Sequence, residues 1–211
     1  MTMKLYSKQQ LQAVKACSKD ETRPAINGVL VDKNKLVATD GHRMIVVEDK
    51  AIDSAKDWPV NGVDWQASNK PFIIPASAIN KAIKNIPKSK DTRGLPILEK
   101  VAIGEKPENT ITLQTTDLDT TDNVKTKILY SNSKFPDYER VIPTLGEVGG
   151  YDKKVGLNAR YMIEALQLMI NFADEKSKMV TFHMKDENHS IVLTCENEET
   201  KTTCVVMPMR L

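Results

Sequence analysis

The chain has 211 residues, 40% apolar and 27% charged, an ordinary globular composition long enough to bury a core without covalent staples. Its 30 Lys and Arg nearly balance 28 Asp and Glu, which argues against a protein that coats nucleic acid by bulk charge. With no apolar run of about 18 residues and no charged, apolar and small-residue leader, the sequence reads as a soluble cytoplasmic protein that does not engage membranes.

The charge is uneven. Residues 1–90 carry 15 basic and 9 acidic side chains, and residues 91–211 carry 15 and 19. Three cysteines, Cys17, Cys195 and Cys204, cannot pair completely and lack metal-ligand spacing. They read as small buried hydrophobes in a reducing compartment, with no metal and no cofactor implied.

In chain order the pattern is a repeat, three times a strand running into an amphipathic helix and then into further strands. The first module opens at Met3–Tyr6. Ser7 is a candidate N-cap, and Leu11, Val14 and Cys17 recur at helical spacing, with the helix expected to end before Pro24. Gly28–Val31, Leu36–Ala38 and Met44–Val47 then read as strands. Residues 50–70, with Trp58 and Trp65, read as a connector. The second module opens at Phe72–Pro75, with Ser77 as a cap, Ile79, Ile83 and Ile86 on one helical face, and Pro87 as its stop. Strands are expected at Val101–Ile103, Thr110–Leu113 and Thr126–Tyr130. A glycine-bearing linker, Pro143–Asp152, precedes the third module. That module has a strand at Lys154–Leu157, a cap at Asn158, a stripe of Met162, Ile163, Leu166, Met169 and Ile170, and strands at Met179–Met184, Ser190–Cys195 and Thr203–Met207. The implied class is α+β with antiparallel sheets. One helix cannot cover such a sheet alone, so neighbouring modules must pair to complete a core.

Residues 7–19 contain Lys8, Lys15 and Lys19, and residues 77–90 contain Lys81, Lys84, Lys88 and Lys90, with no acid in either stretch. Two readings stand: a plain solvated face, or a surface that meets phosphates without reading bases. Asp40-Gly41 marks a turn between two strands. Asp40 and His42 have no nucleophile or metal partner at a recognisable spacing, so a turn is preferred to a catalytic pair. Asp117, Asp119 and Asp122 lack the glycine and glutamate of a calcium loop and read as a solvated connection. Nothing points to an enzyme. Val205–Leu211 is apolar to the last residue, either a strand completing its own core or an adaptable methionine surface for a short peptide.

Three motifs carry a resemblance. Val37-Ala38-Thr39-Asp40-Gly41-His42-Arg43-Met44, Lys134-Phe135-Pro136-Asp137-Tyr138-Glu139-Arg140-Val141-Ile142-Pro143 and Val205-Val206-Met207-Pro208-Met209-Arg210-Leu211 occur in the order found in the bacterial sliding clamp, the beta subunit of DNA polymerase III. Thr22–Leu30 resembles the start of that family's middle domain, although Pro24 and Ala25 stand where the family has aromatic residues. The resemblance implies a DNA clamp fold of repeated modules, with antiparallel sheets outside and helices lining a pore. It implies that residues 1–145 form a two-module domain like the family's middle domain, and that residues 153–211 form a half domain like the second half of its last. The family's other modules have no counterpart here.

The resemblance further implies a partner-peptide pocket of Ile26, Thr39, Gly41, His42, Arg43, Met44, Pro136, Arg140, Val141, Val205, Met207, Pro208, Met209 and Arg210. It makes the seven lysines DNA-facing. The implied partners are double-stranded DNA bound without sequence preference, DNA polymerase and other proteins with a clamp-binding peptide, a clamp loader, and further copies of the chain in a homo-oligomeric ring. The implied function is a processivity factor. The alternative is a regulatory or decoy module that binds such peptides without encircling DNA.

Overall fold

The computed structural model describes residues 4–49, 58, 59, 70–106, 109–130, 135–140, 142, 154–197 and 200–209. Trp65, Val141, Arg210 and the 143–152 linker lie outside the described residues. The chain divides into two compact units, Met1–Tyr138 and Glu139–Leu211.

The first unit begins with β1 (Lys4–Ser7) and α1 (Lys8–Leu11). A capping box sets the helix start: Gln10 N–H donates to Ser7 Oγ at 3.2 Å, and Ser7 N–H donates to Gln10 Oε1 at 2.7 Å. The helix tightens into a 3-10 turn, Gln12–Ala16, and stops well short of Pro24. Tertiary pairing ends it: Ser18 N–H donates to the Ile26 carbonyl at 2.9 Å, and Asn27 Nδ2 donates to the Ser18 carbonyl at 2.8 Å. Both bonds hold the chain extended where the spacing would continue the helix.

A meander follows, β2 (Gly28–Asp32), β3 (Lys35–Thr39) and β4 (Met44–Glu48), and then β5 (Phe72–Pro75) leads into α2 (Ala76–Asn85). Ser77 is not the cap. Pro75 takes that position with no side-chain bond, and the first helical N–H, on Ala76, donates to the Asn27 carbonyl at 3.0 Å. A neighbouring strand end thus does what a capping hydroxyl would do. The remaining strands are β6 (Lys100–Lys106), β7 (Thr110–Thr116), β8 (Thr121–Lys127) and the short β9 (Leu129–Tyr130). The expected strand at 126–130 is therefore two. β8 starts earlier than its sequence suggests, because only Val124 along it is buried and the alternation is weak.

Two antiparallel sheets result, with strand orders β1-β6-β7-β8 and β4-β3-β2-β5-β9. The leading strands are exchanged: β1 of the first module pairs with β6 of the second, and β5 of the second pairs with β2 of the first. Both helices and both sheets close on one core, which includes Leu11, Val14, Val31, Ile74, Ile79, Ile103 and Leu113. The expectation that modules must pair to complete a core holds here. Each sheet also carries an outer cluster. Trp58 packs with Leu5 and Ala102, and its indole N–H donates to Gln114 Oε1 at 2.8 Å. Tyr138 packs with Leu30, Val37 and Ile73.

The second unit holds α3 (Ala159–Met169) and the sheet β10-β11-β12 (Thr181–His183, Ile191–Glu196, Lys201–Val206). Asn158 caps α3, accepting from Arg160 N–H at 2.9 Å. Its core is Ala165, Met169, Ala173, Ile191, Leu193, Cys195 and Val206. The expected strand at 154–157 is a single bridge, Gly156 to Met209. All three cysteines are free, with Cys17 and Cys195 buried. Burial pushes the Cys17 thiol up to about 12. Among the described residues no helix is long and apolar enough to cross a membrane, and no cluster of acids, His and Cys could hold a metal.

Candidate functional site

All seven singled-out lysines are exposed. On α2 the helical period fixes this. Ile79 and Ala82 face the core, Ile83 and Ile86 pack at its edge, and Lys81 and Lys84 are left outside. Lys8 lies on α1, Lys15 in the 3-10 turn and Lys19 just beyond it, while Lys88 and Lys90 follow the α2 terminus. α1 and α2 close on the same core, and one lysine from each stretch meets at a common cleft. Lys8 and Lys88 line one cleft of about 450 Å³ together with Lys100, where Glu99 is the single acid. Such a surface attracts polyanions, and nothing on it would stack a base.

The turn from Thr39 to Met44 is built by side chains bonding backbone. Asp40 Oδ1 accepts from the His42 and Arg43 N–H groups at 2.9 and 3.0 Å, and these bonds hold its carboxyl below the usual aspartate range. Thr39 Oγ1 donates to the Arg43 carbonyl at 2.8 Å and accepts from Gly41 N–H at 3.1 Å. Gly41 has φ +93°, a conformation that favours glycine, and it sits against the Arg23 guanidinium. Arg43 reaches Asp40 Oδ2 and the Lys15 carbonyl, each at 3.2 Å. Asp40 thus engages the backbone of His42 and shapes the turn expected between β3 and β4. Ile26 is buried, and its N–H donates to the Arg23 carbonyl at 3.1 Å. The Arg23 guanidinium thus lies near the Gly41 turn, and its carbonyl is bonded within the loop that carries Ile26. Met44 is half-buried in the outer cluster, and Pro136 is exposed.

The aspartates at 117–122 close a strand connection. Asp117 Oδ1 accepts from the Asp119 and Thr120 N–H groups at 3.0 and 2.6 Å, and Asp119 pairs with Arg93.

In the second unit Arg140 is exposed. In the C-terminal segment Val206 is buried in the core, whereas Val205 is 54% and Met207 69% exposed. Val205 and Met207 line an apolar groove of about 410 Å³ against Tyr161, Ala165 and Leu168 of α3. Pro208 is half-buried and Met209 is exposed. The sequence reading missed Arg23 and the α3 wall of this groove. Helical spacing offered a signal for the latter, since Tyr161 and Leu168 fall off the Met162–Leu166–Met169 stripe. No spacing pointed to Arg23.

No family model matches the chain. The Beta sliding clamp of Synechocystis sp. is 24% identical over 194 residues, which cover 89% of this chain and 44% of that protein. The DNA polymerase sliding clamp of Pseudomonas aeruginosa superposes with a TM-score of 0.64 at 21% identity, over 98% of this chain and 51% of that one. The Bacillus subtilis clamp gives 0.65 at 20% identity, over 98% and 49%. This chain has the bacterial sliding-clamp fold. The resemblance read from the three motifs is borne out: the chain is similar to the DNA polymerase III beta subunits and spans about half of their length. It spans 44% of the curated clamp it matches.

Proposed function

We propose that the protein is a sliding clamp-like processivity factor that encircles duplex DNA as an oligomer and tethers a polymerase by a hydrophobic peptide. The observation that carries this is the acid-free pair of helices, α1 and α2, set on one core with Lys8, Lys15, Lys19, Lys81, Lys84, Lys88 and Lys90 exposed. A closed ring is retained topologically, so its inner surface needs only salt-sensitive phosphate contacts and can slide. In this reading residues 1–145 act as a middle-type clamp domain and residues 153–211 as a half domain. The partner peptide is then bound by Ile26, Thr39, Gly41, His42, Arg43, Met44 and Pro136 of the first unit and by Arg140, Val141, Val205, Met207, Pro208, Met209 and Arg210 of the second. Methionines suit a groove that must accept several related peptides. The activity is one of binding in the cytoplasm, with a clamp loader as a further partner, and involves no turnover.

The test is retention on nicked circular DNA against the same DNA linearised, together with primer extension by the cognate polymerase. Retention on circles that is lost on linearisation is expected. The double variant Lys81→Glu, Lys84→Glu should lower processivity several-fold and leave peptide binding intact. Equal retention on both DNAs would overturn encirclement. Peptide binding with no retention on either would leave the non-encircling decoy, a reading favoured by the one helix and one sheet that the described residues of the second unit form.

A further inference from the structure

The first unit shows how two modules complete each other. Each leading strand adds, antiparallel, to the first strand of the other module's triplet: β5 to β2, and β1 to β6. On its other side β5 pairs with β9, which follows its own triplet, placing Ile73 opposite Leu129.

The second unit repeats these pieces once. Residues 154–157 stand before α3 as Phe72–Pro75 stands before α2, with Asn158 and Pro75 as the respective N-caps. Gly156 corresponds to Ile73 and is bridged to Met209, which follows its own triplet, as Leu129 does. One side of the leading segment is therefore occupied as in β5. The other side, which in β5 holds β2, faces no strand among the described residues. The acceptor is open as well: β10 is an edge of β10-β11-β12, whereas β2 and β6 each lie between two strands. All three residues of β10 are exposed, with Phe182 at 46%, while four of the five in β2 are buried. The helix repeats the asymmetry, with Tyr161, Ile163 and Leu168 of α3 exposed at 61%, 55% and 54%.

We propose that this unit is completed by the same unit of a second copy. Each 154–157 segment adds to β10 of the partner, and the two α3 helices close one core between two sheets. A single surface that carries both a free donor strand and a free acceptor edge is self-complementary, which is what a two-fold contact requires. Charge does not oppose it, since Arg160 and Glu164 of α3 cancel. The register carries over from the first unit. Five residues before Leu129 and Met209, Val124 and Cys204 hold the same place, opposite Leu113 and Leu193. Ile103 and Phe182 lie opposite those, and Ile103 pairs with Lys4, which precedes its N-cap by three as Val155 does. Val155 then meets Phe182 of the partner subunit, and Gly156 meets Thr181 of the partner subunit. Pairing also removes an exposed apolar edge, which would otherwise template aggregation. This deepens the oligomeric part of the reading above and rests on it, but needs neither DNA nor a closed ring.

The test combines mass by light scattering with cross-linking in a Cys204→Ser background. Under oxidation the double variant Gly156→Cys, Thr181→Cys should give a disulfide dimer on a non-reducing gel, and each single variant none, because paired strands bring the two Cα atoms within disulfide reach. Phe182→Glu should reduce the assembly mass, with the far-ultraviolet circular dichroism unchanged. A wild-type monomer at high concentration would overturn the proposal and assign the face to another occupant. An assembly that survives Phe182→Glu and does not cross-link at 156–181 would overturn it while leaving the oligomeric clamp standing. A cross-linked dimer not retained on circular DNA would uphold the pairing and overturn the ring.

Discussion

The Tyr138 hydroxyl donates a hydrogen bond to Asp32 Oδ2 at 2.9 Å, joining residues 106 positions apart. Its ring is buried against Leu30, Val37 and Ile73, so the Phe135–Tyr138 stretch straps the outer face of one sheet. Tyr138→Phe keeps the packing and removes one bond to a carboxylate, and should cost about 1–3 kcal/mol. Tyr138→Ala also empties the cluster and should cost about 3–5 kcal/mol. Urea unfolding of both variants checks the order: equal losses would mean that the hydroxyl, not the ring, holds the strap.

Gly28 marks where the exchanged strand β5 meets β2. A Cβ there would lie 2.6 Å from the Ile74 carbonyl oxygen and 2.7 Å from Ile73 Cγ2. Backbone cannot yield as a side-chain tip can, so Gly28→Ala should destabilise the first unit by about 1–3 kcal/mol. A lowered midpoint in thermal unfolding would show it.

The Asp40 turn carries a pH signature. The His42 and Arg43 N–H bonds and the Arg43 side chain favour the charged carboxylate, so its folded pKa lies below its unfolded one. The stabilisation is present above the unfolded value and fades as pH falls through the folded value. The turn should therefore persist at a pH where free aspartate is half protonated. Titration of the His42 and Arg43 amide resonances should give a midpoint below that of an unfolded peptide of the same sequence, and Asp40→Ala should abolish the transition.

At the C-terminus, Met207→Ala should weaken binding of a clamp-type peptide by about tenfold, an effect of roughly 1.4 kcal/mol. Met207 is 69% exposed, so the same change should leave stability within about 0.5 kcal/mol. Fluorescence anisotropy and thermal unfolding, taken together, separate the two effects. An equal loss in both would make Met207 a core residue.

Much of the first unit was legible because period and capping agreed. Ser7 and Ile79 behave as their spacing says, the strands expected at 28–31, 36–38 and 44–47 all form, and in the second unit Asn158 caps α3 as expected. What was missed depends on partners distant in sequence. The early stop of the first helix comes from Ser18 meeting Ile26, and the capless start of α2 from the Asn27 carbonyl. Neither is encoded in a window around the residue concerned. The lysine-bearing helices were legible because the absence of acids is local. That α1 and α2 share a core was expected only in general form. The role of Arg23 was invisible, since nothing in its own segment places it against Gly41.

The exchange of β1 and β5 also governs the order of events on the ribosome. Lys4 finds its strand partner at Ile103, and Gly28 finds its own at Pro75. The first strand of this unit is thus committed to one of its late strands. The first sheet cannot be sealed until β6 has left the exit tunnel, and long-range pairing of this kind slows folding. During synthesis β1 must wait, unpaired, for most of its own unit to be made.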